Sequence, residues 1–289
     1  MTATLAYQSQ ARLGEGSIWN YKTAELYWVD IESGLLHIFN PKSKTEKVSS
    51  WEQRISTVVP AEDGMLIVAG QNGLYKFDPI RLEKELLIEP PHDSSIMRFN
   101  DGKCDPSGRL WLGSMHLDTI SKLSALYKVE KMKFAQMLSG ITISNGICWS
   151  PDSRTMYYID TPTHEVKAFD FDQVSGSISN MRVIIEMKDE LSSPDGMTID
   201  AEGMLWIAHW HGACVTRWDP QSSKMLCKVE VPAYNVTSCA FGGENLDTLY
   251  ITSAREEMTE EQKLNFPLAG SLFEIKPGVK GVRCFFFKN

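Results

Sequence analysis

The chain of 289 residues is long enough to bury a sizeable core, and its 43% apolar and 23% charged residues exclude a disordered chain. Aspartate and glutamate outnumber lysine and arginine by 37 to 29, so the formal net charge is −8. Nucleic acids and anionic membrane surfaces attract basic proteins, so neither is expected as a partner.

The sequence also lacks the signals of a membrane or secreted protein. No apolar run approaches the roughly 20 residues needed to span a bilayer. The first ten residues have neither the basic head nor the apolar stretch of a signal peptide. The six cysteines show no Cys-x-x-Cys pair and no regular spacing. These features predict a cytoplasmic protein with buried free thiols, and no obligate protein partner is evident.

A pair of short strands separated by a turn recurs six times along the chain. The first strand of each pair carries an aromatic or β-branched anchor, at intervals of 39 to 49 residues: Trp28, Ile67, Trp111, Tyr157, Trp206 and Tyr250. A period of roughly 40–50 residues with several strands per unit is typical of a β-propeller. The sequence therefore predicts an all-β, six-bladed β-propeller that forms one domain over residues 1–289.

One helix is predicted, over Glu256–Leu264, as an insertion in the sixth blade. Thr259 and Gln262 have the spacing of a capping box, which leaves open a second start at Thr259. Thr4–Gln8 and Val282–Phe287 are the predicted closing strands of the ring. Ring closure removes sheet edges that would otherwise aggregate.

Each blade is expected to begin with an innermost strand that lines the central channel. In four such strands an oxygen-bearing side chain is followed at once by glycine: Glu15-Gly16, Asp101-Gly102, Asn145-Gly146 and Asp195-Gly196. Sixfold geometry would direct these side chains towards one axis, where carboxylates repel one another unless a cation lies between them. Asp-Gly and Asn-Gly are also common turn dipeptides, so ordinary turns are the alternative interpretation.

Three of these residues lie at nearly the same phase of the repeat, namely Glu15, Asn145 and Asp195. Their donor atoms are oxygens, which suit Ca²⁺, Mg²⁺ or Mn²⁺, with Zn²⁺ or Fe²⁺ as alternatives. A central metal site is therefore part of the predicted architecture.

At these residues the chain resembles the senescence-marker-protein/gluconolactonase/luciferin-regenerating family of regucalcin-like six-bladed propellers. The resemblance runs nearly end to end, and its main motifs are Leu13-Gly14-Glu15-Gly16, Arg98-Phe99-Asn100-Asp101-Gly102-Lys103, Ser144-Asn145-Gly146 and Pro194-Asp195-Gly196-Met197. The resemblance implies one divalent metal ion, with Ca²⁺ foremost, held by Glu15, Asn145 and Asp195. It also implies a small-molecule substrate, a sugar lactone such as gluconolactone or a pentonolactone, which is opened to the aldonic acid.

The same resemblance implies roles for the surrounding residues. Arg98 and Asn100 would contact the substrate, and Asp101 would lie beside the metal pocket. The family often places a glutamate after the blade-three strand to accept a sugar hydroxyl, and this chain has the shorter Asp118 there. The metal would polarise the lactone carbonyl, and Asp195 or a metal-bound hydroxide would activate water. The expected enzyme class is a carboxylic ester hydrolase of the gluconolactonase type.

Two other functions remain open because fold alone does not determine function. One is a non-catalytic, calcium-binding regulatory propeller, and the other is a paraoxonase-like esterase. His209 and His211 alternate along a predicted strand and would share one face. They are a candidate pair of transition-metal ligands, although polar rim residues are the simpler interpretation.

Overall fold

The structure is a computed structural model that describes residues 1–187 and 192–288. Within those ranges the chain forms 24 β-strands in six four-stranded antiparallel sheets. The innermost strands of successive sheets contact one another, and the innermost strand of the last sheet contacts that of the first. The sheets are therefore the blades of a closed six-bladed β-propeller, which confirms the predicted fold class.

The strands follow the chain blade by blade. The first strand, β1 (Thr4–Tyr7), belongs to the last blade. Blade one contains β2 (Gly14–Asn20), β3 (Glu25–Asp30), β4 (Leu35–Asn40) and β5 (Thr45–Ser50). Blade two contains β6 (Ile55–Pro60), β7 (Leu66–Gly70), β8 (Gly73–Phe77) and β9 (Lys84–Ile88). Blade three contains β10 (Met97–Cys104), β11 (Leu110–His116), β12 (Ser124–Glu130) and β13 (Lys133–Ile141).

The second half of the ring repeats this order. Blade four contains β14 (Ser144–Trp149), β15 (Thr155–Asp160), β16 (Glu165–Asp172) and β17 (Ser177–Glu186), with a 3₁₀ turn at Thr161–Thr163. Blade five contains β18 (Ser193–Ile199), β19 (Leu205–Trp210), β20 (Cys214–Asp219) and β21 (Lys224–Glu230). Blade six contains β22 (Asn235–Gly242), β23 (Thr248–Ala254), β24 (Leu272–Ile275) and β1.

The anchor residues hold neighbouring blades together. They all lie in the second strands of their blades, and all are buried. Trp111 of blade three meets Trp149 of blade four with 6.0 Å between ring centroids. Trp206 of blade five meets Phe241 of blade six at 5.6 Å. Edge-on aromatic contacts of this kind bury large apolar surfaces, so the recurring anchors pack one blade onto the next.

In two of the blades a buried aspartate fixes the tryptophan anchor. In blade five, Asp200 accepts hydrogen bonds from Trp206 Nε1 at 2.9 Å and from the backbone N–H of Met204 at 3.0 Å. In blade three, Asp105 accepts from Trp111 Nε1 at 3.0 Å. The buried indole N–H of each tryptophan thereby has a hydrogen-bond acceptor, which lies at the turn that joins the first two strands.

Of the two predicted closing segments, the N-terminal one forms a strand and the C-terminal one does not. The N-terminal strand β1 pairs with β24 and becomes the outer strand of blade six, as predicted. The predicted strand Val282–Phe287 is wrong, because this segment has only an isolated bridge between Phe287 and Ala61. The outer edge of blade six is already occupied by β1, so no sheet edge there is open to it.

The C-terminal segment, residues 280–287, instead lies across the lower end of the channel, where the innermost strands finish. Its backbone bonds to several blades: the Ala201 N–H donates to Lys280 O at 2.8 Å, and the Phe287 N–H donates to Pro60 O at 2.8 Å. Residues 282–285 line a small cavity there of about 70 Å³, together with Cys104 and Cys148. Burial raises the pKa of the Cys148 thiol to about 12, which fits a packing role for this cysteine.

The described ranges contain one α-helix, α1 (Glu260–Asn265). Thr259 caps it by accepting from the Gln262 N–H at 3.2 Å, and the Thr259 N–H donates to Gln262 Oε1 at 2.8 Å. The predicted start at Glu256 is therefore wrong, and the capping box marks the beginning. Glu257 has a φ of 58°, which a right-handed helix does not allow. No helix in the described ranges is long and apolar enough to cross a membrane.

Replacing Phe287 by alanine tests the contribution of the C-terminal segment. Because Phe287 is buried against the core of blades one to three, we expect Phe287→Ala to lower the free energy of unfolding by about 3–5 kcal/mol. Urea denaturation measures the change. Leu264→Ala is the control, since Leu264 is 81% exposed and its loss should change stability by less than about 0.5 kcal/mol. Equal effects of the two substitutions would contradict this role.

Candidate functional site

The ladder between the innermost and second strands is interrupted near the start of each blade that the structure describes. The register shifts between Glu15 and Ile18, Ile55 and Thr57, Phe99 and Gly102, Ser144 and Ile147, Pro194 and Met197, and Val236 and Ser238. Such a bulge bends the strand and re-aims its side chains. The polar-glycine steps of the sequence coincide with these bulges.

Glycine is required at two of these steps because the innermost strands approach closely. A Cβ atom on Gly146 would lie 2.7 Å from the carbonyl oxygen of Asp195 in the next blade. A Cβ atom on Gly196 would lie 2.7 Å from Ser238 Oγ and 2.8 Å from the Thr237 carbonyl oxygen. The glycines thus allow the blades to meet at the channel while the preceding side chains project from the bulges.

A cavity of about 340 Å³ lies at the upper end of the channel, where the innermost strands begin. Five of the six predicted site residues line it: Glu15, Arg98, Asn100, Asn145 and Asp195. Its volume falls within the range of small-molecule sites, roughly 300–1,000 Å³. The sequence motifs of blades one, three, four and five therefore converge on one cavity.

The sixth predicted residue, Asp118, lies outside this lining. Its side chain is exposed, and its backbone N–H donates to His116 Nδ1 at 3.0 Å. The residues on either side of it, Leu117 and Thr119, do line the cavity. Asp101 is buried behind the lining, where its Oδ1 accepts from the Gly102 N–H at 2.7 Å.

The buried carboxylates of the site strongly disfavour their charged forms. Burial raises the pKa of Glu15 to about 8, and the neighbouring Asp101 carboxylate adds to the shift. Burial likewise raises the pKa of Asp195 well above its usual range, with further contributions from Glu15 and Asp101. Like charges that raise one another's pKa lie close together, so the site concentrates negative charge in a desolvated place.

Three buried oxygens of this cluster have no hydrogen-bond partner among the described residues, namely Asp101 Oδ2, Asn145 Oδ1 and Asp195 Oδ1. The last two belong to residues that line the cavity. The Asn145 amide is held from its other side, since its Nδ2 donates to Thr161 Oγ1 at 3.1 Å and Thr161 Oγ1 donates to Pro194 O at 2.9 Å. Buried oxygens without partners are costly, and a hard divalent cation would satisfy those of Asn145 and Asp195.

The donor set therefore fits the predicted metal, which Glu15, Asn145 and Asp195 would hold. In the described ranges no three His, Cys, Asp or Glu side chains gather as a metal cluster. The candidate site instead combines two carboxylates with one amide oxygen. All-oxygen sets of this kind suit Ca²⁺ or Mg²⁺ better than softer metals.

Arg98 and Asn100 form a rigid donor group beside the carboxylates. Arg98 Nη1 donates to Asn100 Oδ1 at 2.6 Å and to Phe99 O at 3.0 Å. Asn100 Nδ2 in turn donates to Ser144 O at 2.9 Å. Burial lowers the pKa of Arg98 to about 10, and nearby carboxylates, Glu32 foremost, oppose this shift. Arg98 therefore stays charged at neutral pH.

The structure separates the two histidines that the sequence places on one face. β19 ends at Trp210, and His211 follows with a φ of 61° in the turn. His209 is buried inside blade five, where its Nε2 bonds to Thr216 Oγ1 at 2.6 Å. His211 instead stacks on Tyr234 with 5.1 Å between ring centroids. The expectation that they share a face is wrong.

Sequence reasoning missed three acidic residues of the lining, Glu32, Glu256 and Glu257. Glu32 and Glu256 each follow the end of a second strand by two residues, in blades one and six. This is the same position that Asp118 occupies after β11 in blade three. The repeat therefore held a signal for both, because residues at one phase of a propeller lie on one face of the ring.

The raised carboxylate pKa values predict a pH dependence for the metal-free protein. Glu15 has an ordinary pKa of 4.5 and a folded pKa of about 8, so between these values the folded state binds a proton that the unfolded state has lost. Stability is then greatest below pH 4.5 with respect to this group and falls as pH rises towards 8. We expect calorimetry in EDTA to show the melting temperature falling over this interval. The fall should be smaller in Glu15→Gln, and an unchanged slope would contradict the assignment.

The chain is similar to known proteins over nearly its whole length. A family model described as "SMP-30/Gluconolactonase/LRE-like region" matches residues 13–255. A Bacillus subtilis protein named "Putative sugar lactone lactonase YvrE" is 38% identical over 277 residues, which cover 96% of this chain and 95% of that protein. Regucalcin from Danio rerio is 36% identical over 274 residues, covering 93% of this chain and 92% of the relative.

A solved structure has the same architecture. The calcium-binding protein regucalcin from Agrobacterium tumefaciens superposes with a TM-score of 0.95 at 28% identity, covering 100% of this chain and 98% of that one. The family model spans most of the chain, and the relatives align with it nearly end to end. This chain belongs to the SMP-30/gluconolactonase/LRE-like family.

Proposed function

We propose that the protein is a metal-dependent lactonase that opens a sugar lactone to its aldonic acid. The observation that carries the proposal is the pair of buried, partnerless oxygens on Asn145 and Asp195, next to Glu15 in a cavity that also exposes Arg98. Burying carboxylates together lowers the stability of the fold. Such a cluster in a cavity therefore indicates a binding or catalytic role. The names of the family and of the Bacillus subtilis relative support the substrate class.

Glu15, Asn145 and Asp195 would hold the ion, and Ca²⁺ is the first choice because the donors are all oxygens. A bound divalent ion supplies Lewis acidity that polarises the lactone carbonyl. The regucalcin of Agrobacterium tumefaciens is described as a calcium-binding protein, which supports this choice.

Arg98 and Asn100 would orient the substrate. The Arg98 guanidinium is fixed by its bonds to Phe99 O and Asn100 Oδ1, so its remaining N–H groups are available as donors to lactone oxygens. A donor that is held before the substrate binds loses little freedom on binding, which favours both affinity and alignment.

Asp195 is the group we assign to the proton transfer. Its side chain lines the cavity, and the carboxylate oxygen that does not hold the ion would accept a proton from the attacking water. The water oxygen would bond to the carbonyl carbon, the ring C–O bond would break, and the leaving oxygen would take the proton back from Asp195 to become a hydroxyl group. The product is the open-chain hydroxy acid.

A calcium-binding propeller without catalysis is the second candidate, and it is favoured by the description of the Agrobacterium tumefaciens regucalcin. It would use the same residues, Glu15, Asn145 and Asp195. A paraoxonase-like esterase is a third, and it would prefer aryl esters to sugar lactones. Catalysis and substrate preference distinguish the three.

Acid release from glucono-δ-lactone in weak buffer tests the activity itself. We expect a rate above the spontaneous background, which EDTA abolishes and added Ca²⁺ restores. Phenyl acetate, assayed in parallel, should be a poorer substrate than the lactone. A rate equal to background with Ca²⁺ present would favour the non-catalytic propeller, and a preference for the aryl ester would favour the esterase.

Asp195→Ala tests whether the metal and the reaction share one site. Because Asp195 is assigned to both, we expect the substitution to abolish Ca²⁺ binding in calorimetric titration and to lower kcat by at least about 100-fold. Glu261→Ala on the exposed side of α1 is the matched control and should leave both quantities unchanged. Parental turnover in Asp195→Ala would rule out this site.

A further inference from the structure

One acidic side chain in the cavity has no part in the functions assigned so far. Glu32 lies two residues beyond the end of β3, and its side chain is 12% exposed. It shares the lining with Arg98 and Asn100. A half-exposed glutamate on the surface would need no explanation, but this one faces a small-molecule cavity.

A chain of hydrogen bonds holds Glu32 in place. Arg54 Nε donates to both of its carboxylate oxygens, at 2.9 Å and 3.0 Å. Arg54 Nη1 donates to Gln71 Oε1 at 3.2 Å, and Gln71 Nε2 donates to the Ser94 carbonyl at 2.6 Å. Three residues thus fix the Glu32 carboxylate, Arg54 directly and Gln71 and Ser94 through Arg54. Groups held in this way are suited to orienting a ligand.

The Glu32 carboxylate keeps acceptor capacity towards the cavity. An ionised carboxylate has about four lone-pair sites, and the Arg54 N–H is shared between its two oxygens. Arg98 lines the same cavity, and Glu32 is the carboxylate that most strongly opposes the lowering of the Arg98 pKa. An acceptor and a donor therefore face one cavity, and a sugar hydroxyl both donates and accepts.

The other acidic residues near the mouth are less suited to this task. Asp118 lies exposed and outside the lining. Glu256 is bound by two nitrogens of Arg12, Nε at 2.6 Å and Nη2 at 3.1 Å, and the Arg12 side chain is 58% exposed. Glu257 also lines the cavity but is exposed, so Glu32 has the least exposed side chain of these four acidic residues.

We propose that Glu32 determines specificity by accepting a hydrogen bond from one hydroxyl group of the lactone, and that Arg54 positions it. This inference rests on the proposed lactonase function. It moves the hydroxyl-accepting role from Asp118 in blade three to the equivalent turn of blade one. The substrate class is then a polyhydroxylated lactone whose hydroxyl group lies within reach of both Glu32 and Arg98.

The test compares glucono-δ-lactone with analogues in which one hydroxyl at a time is replaced by hydrogen. For the parental protein we expect one analogue to have a kcat/KM about 10- to 100-fold lower, as a hydrogen bond to a charged group predicts. In Glu32→Gln the kcat/KM for glucono-δ-lactone should fall by a similar factor, mainly through KM. The same deoxy analogue should be almost unaffected by the substitution. The ratio between the two substrates should therefore approach one.

Two further variants make the test selective. Asp118→Asn is the matched control and should keep the parental ratio. Arg54→Met should raise KM for glucono-δ-lactone several-fold, because Glu32 loses its fixed orientation. Circular dichroism melting checks that each variant is folded.

The outcomes separate this inference from the proposed function. An equal loss on every substrate in Glu32→Gln, including unsubstituted δ-valerolactone, would show a merely structural role and overturn the inference while lactonase activity stands. A collapsed ratio in Asp118→Asn would return the role to Asp118 and also overturn it. Absence of turnover in the parental protein would instead remove the proposed function and this inference together.

Discussion

Repulsion between buried carboxylates is the constraint on which the site depends. Glu15 belongs to blade one and Asp195 to blade five, and both are brought to one desolvated place by the packing of the blades. The large anchors that bind blade to blade supply the apolar burial that keeps these charges together. A divalent cation would turn this unfavourable arrangement into a favourable one, so the stability of the ring and the affinity for the ion are linked through the same side chains.

Much of the fold and the centre of the site could be predicted because a propeller converts position along the sequence into angle around an axis. The anchors Trp28, Trp111 and Trp206 recur with the blade period, and all are buried in second strands. The polar-glycine steps recur at the bulges of the innermost strands. Because Glu15, Asn145 and Asp195 lie at nearly the same phase of the repeat, the repeat indicates that they meet at one cavity.

The contacts at the rim of the site could not be predicted in the same way, although Glu32, Asp118 and Glu256 share one phase of the repeat, because the turns differ in conformation from blade to blade. Backbone reversals at His211 and Glu257, with φ values of 61° and 58°, send their side chains where no strand pattern would place them. The contact between Glu32 and Arg54 joins turns of different blades, and only coordinates reveal it. The aromatic C-terminal run has the composition of a strand, yet β1 had already filled the available edge.

The C-terminal segment across the lower end of the channel makes the two ends of the ring unlike. Residues 282–285 line the small cavity of about 70 Å³ at the lower end, whereas Glu15 and Asp195 line the cavity of about 340 Å³ at the upper end, together with Glu32 and Glu256. In the proposed reaction a docked lactone and the attacking water would share that one small upper volume, so the order in which they enter would affect the rate.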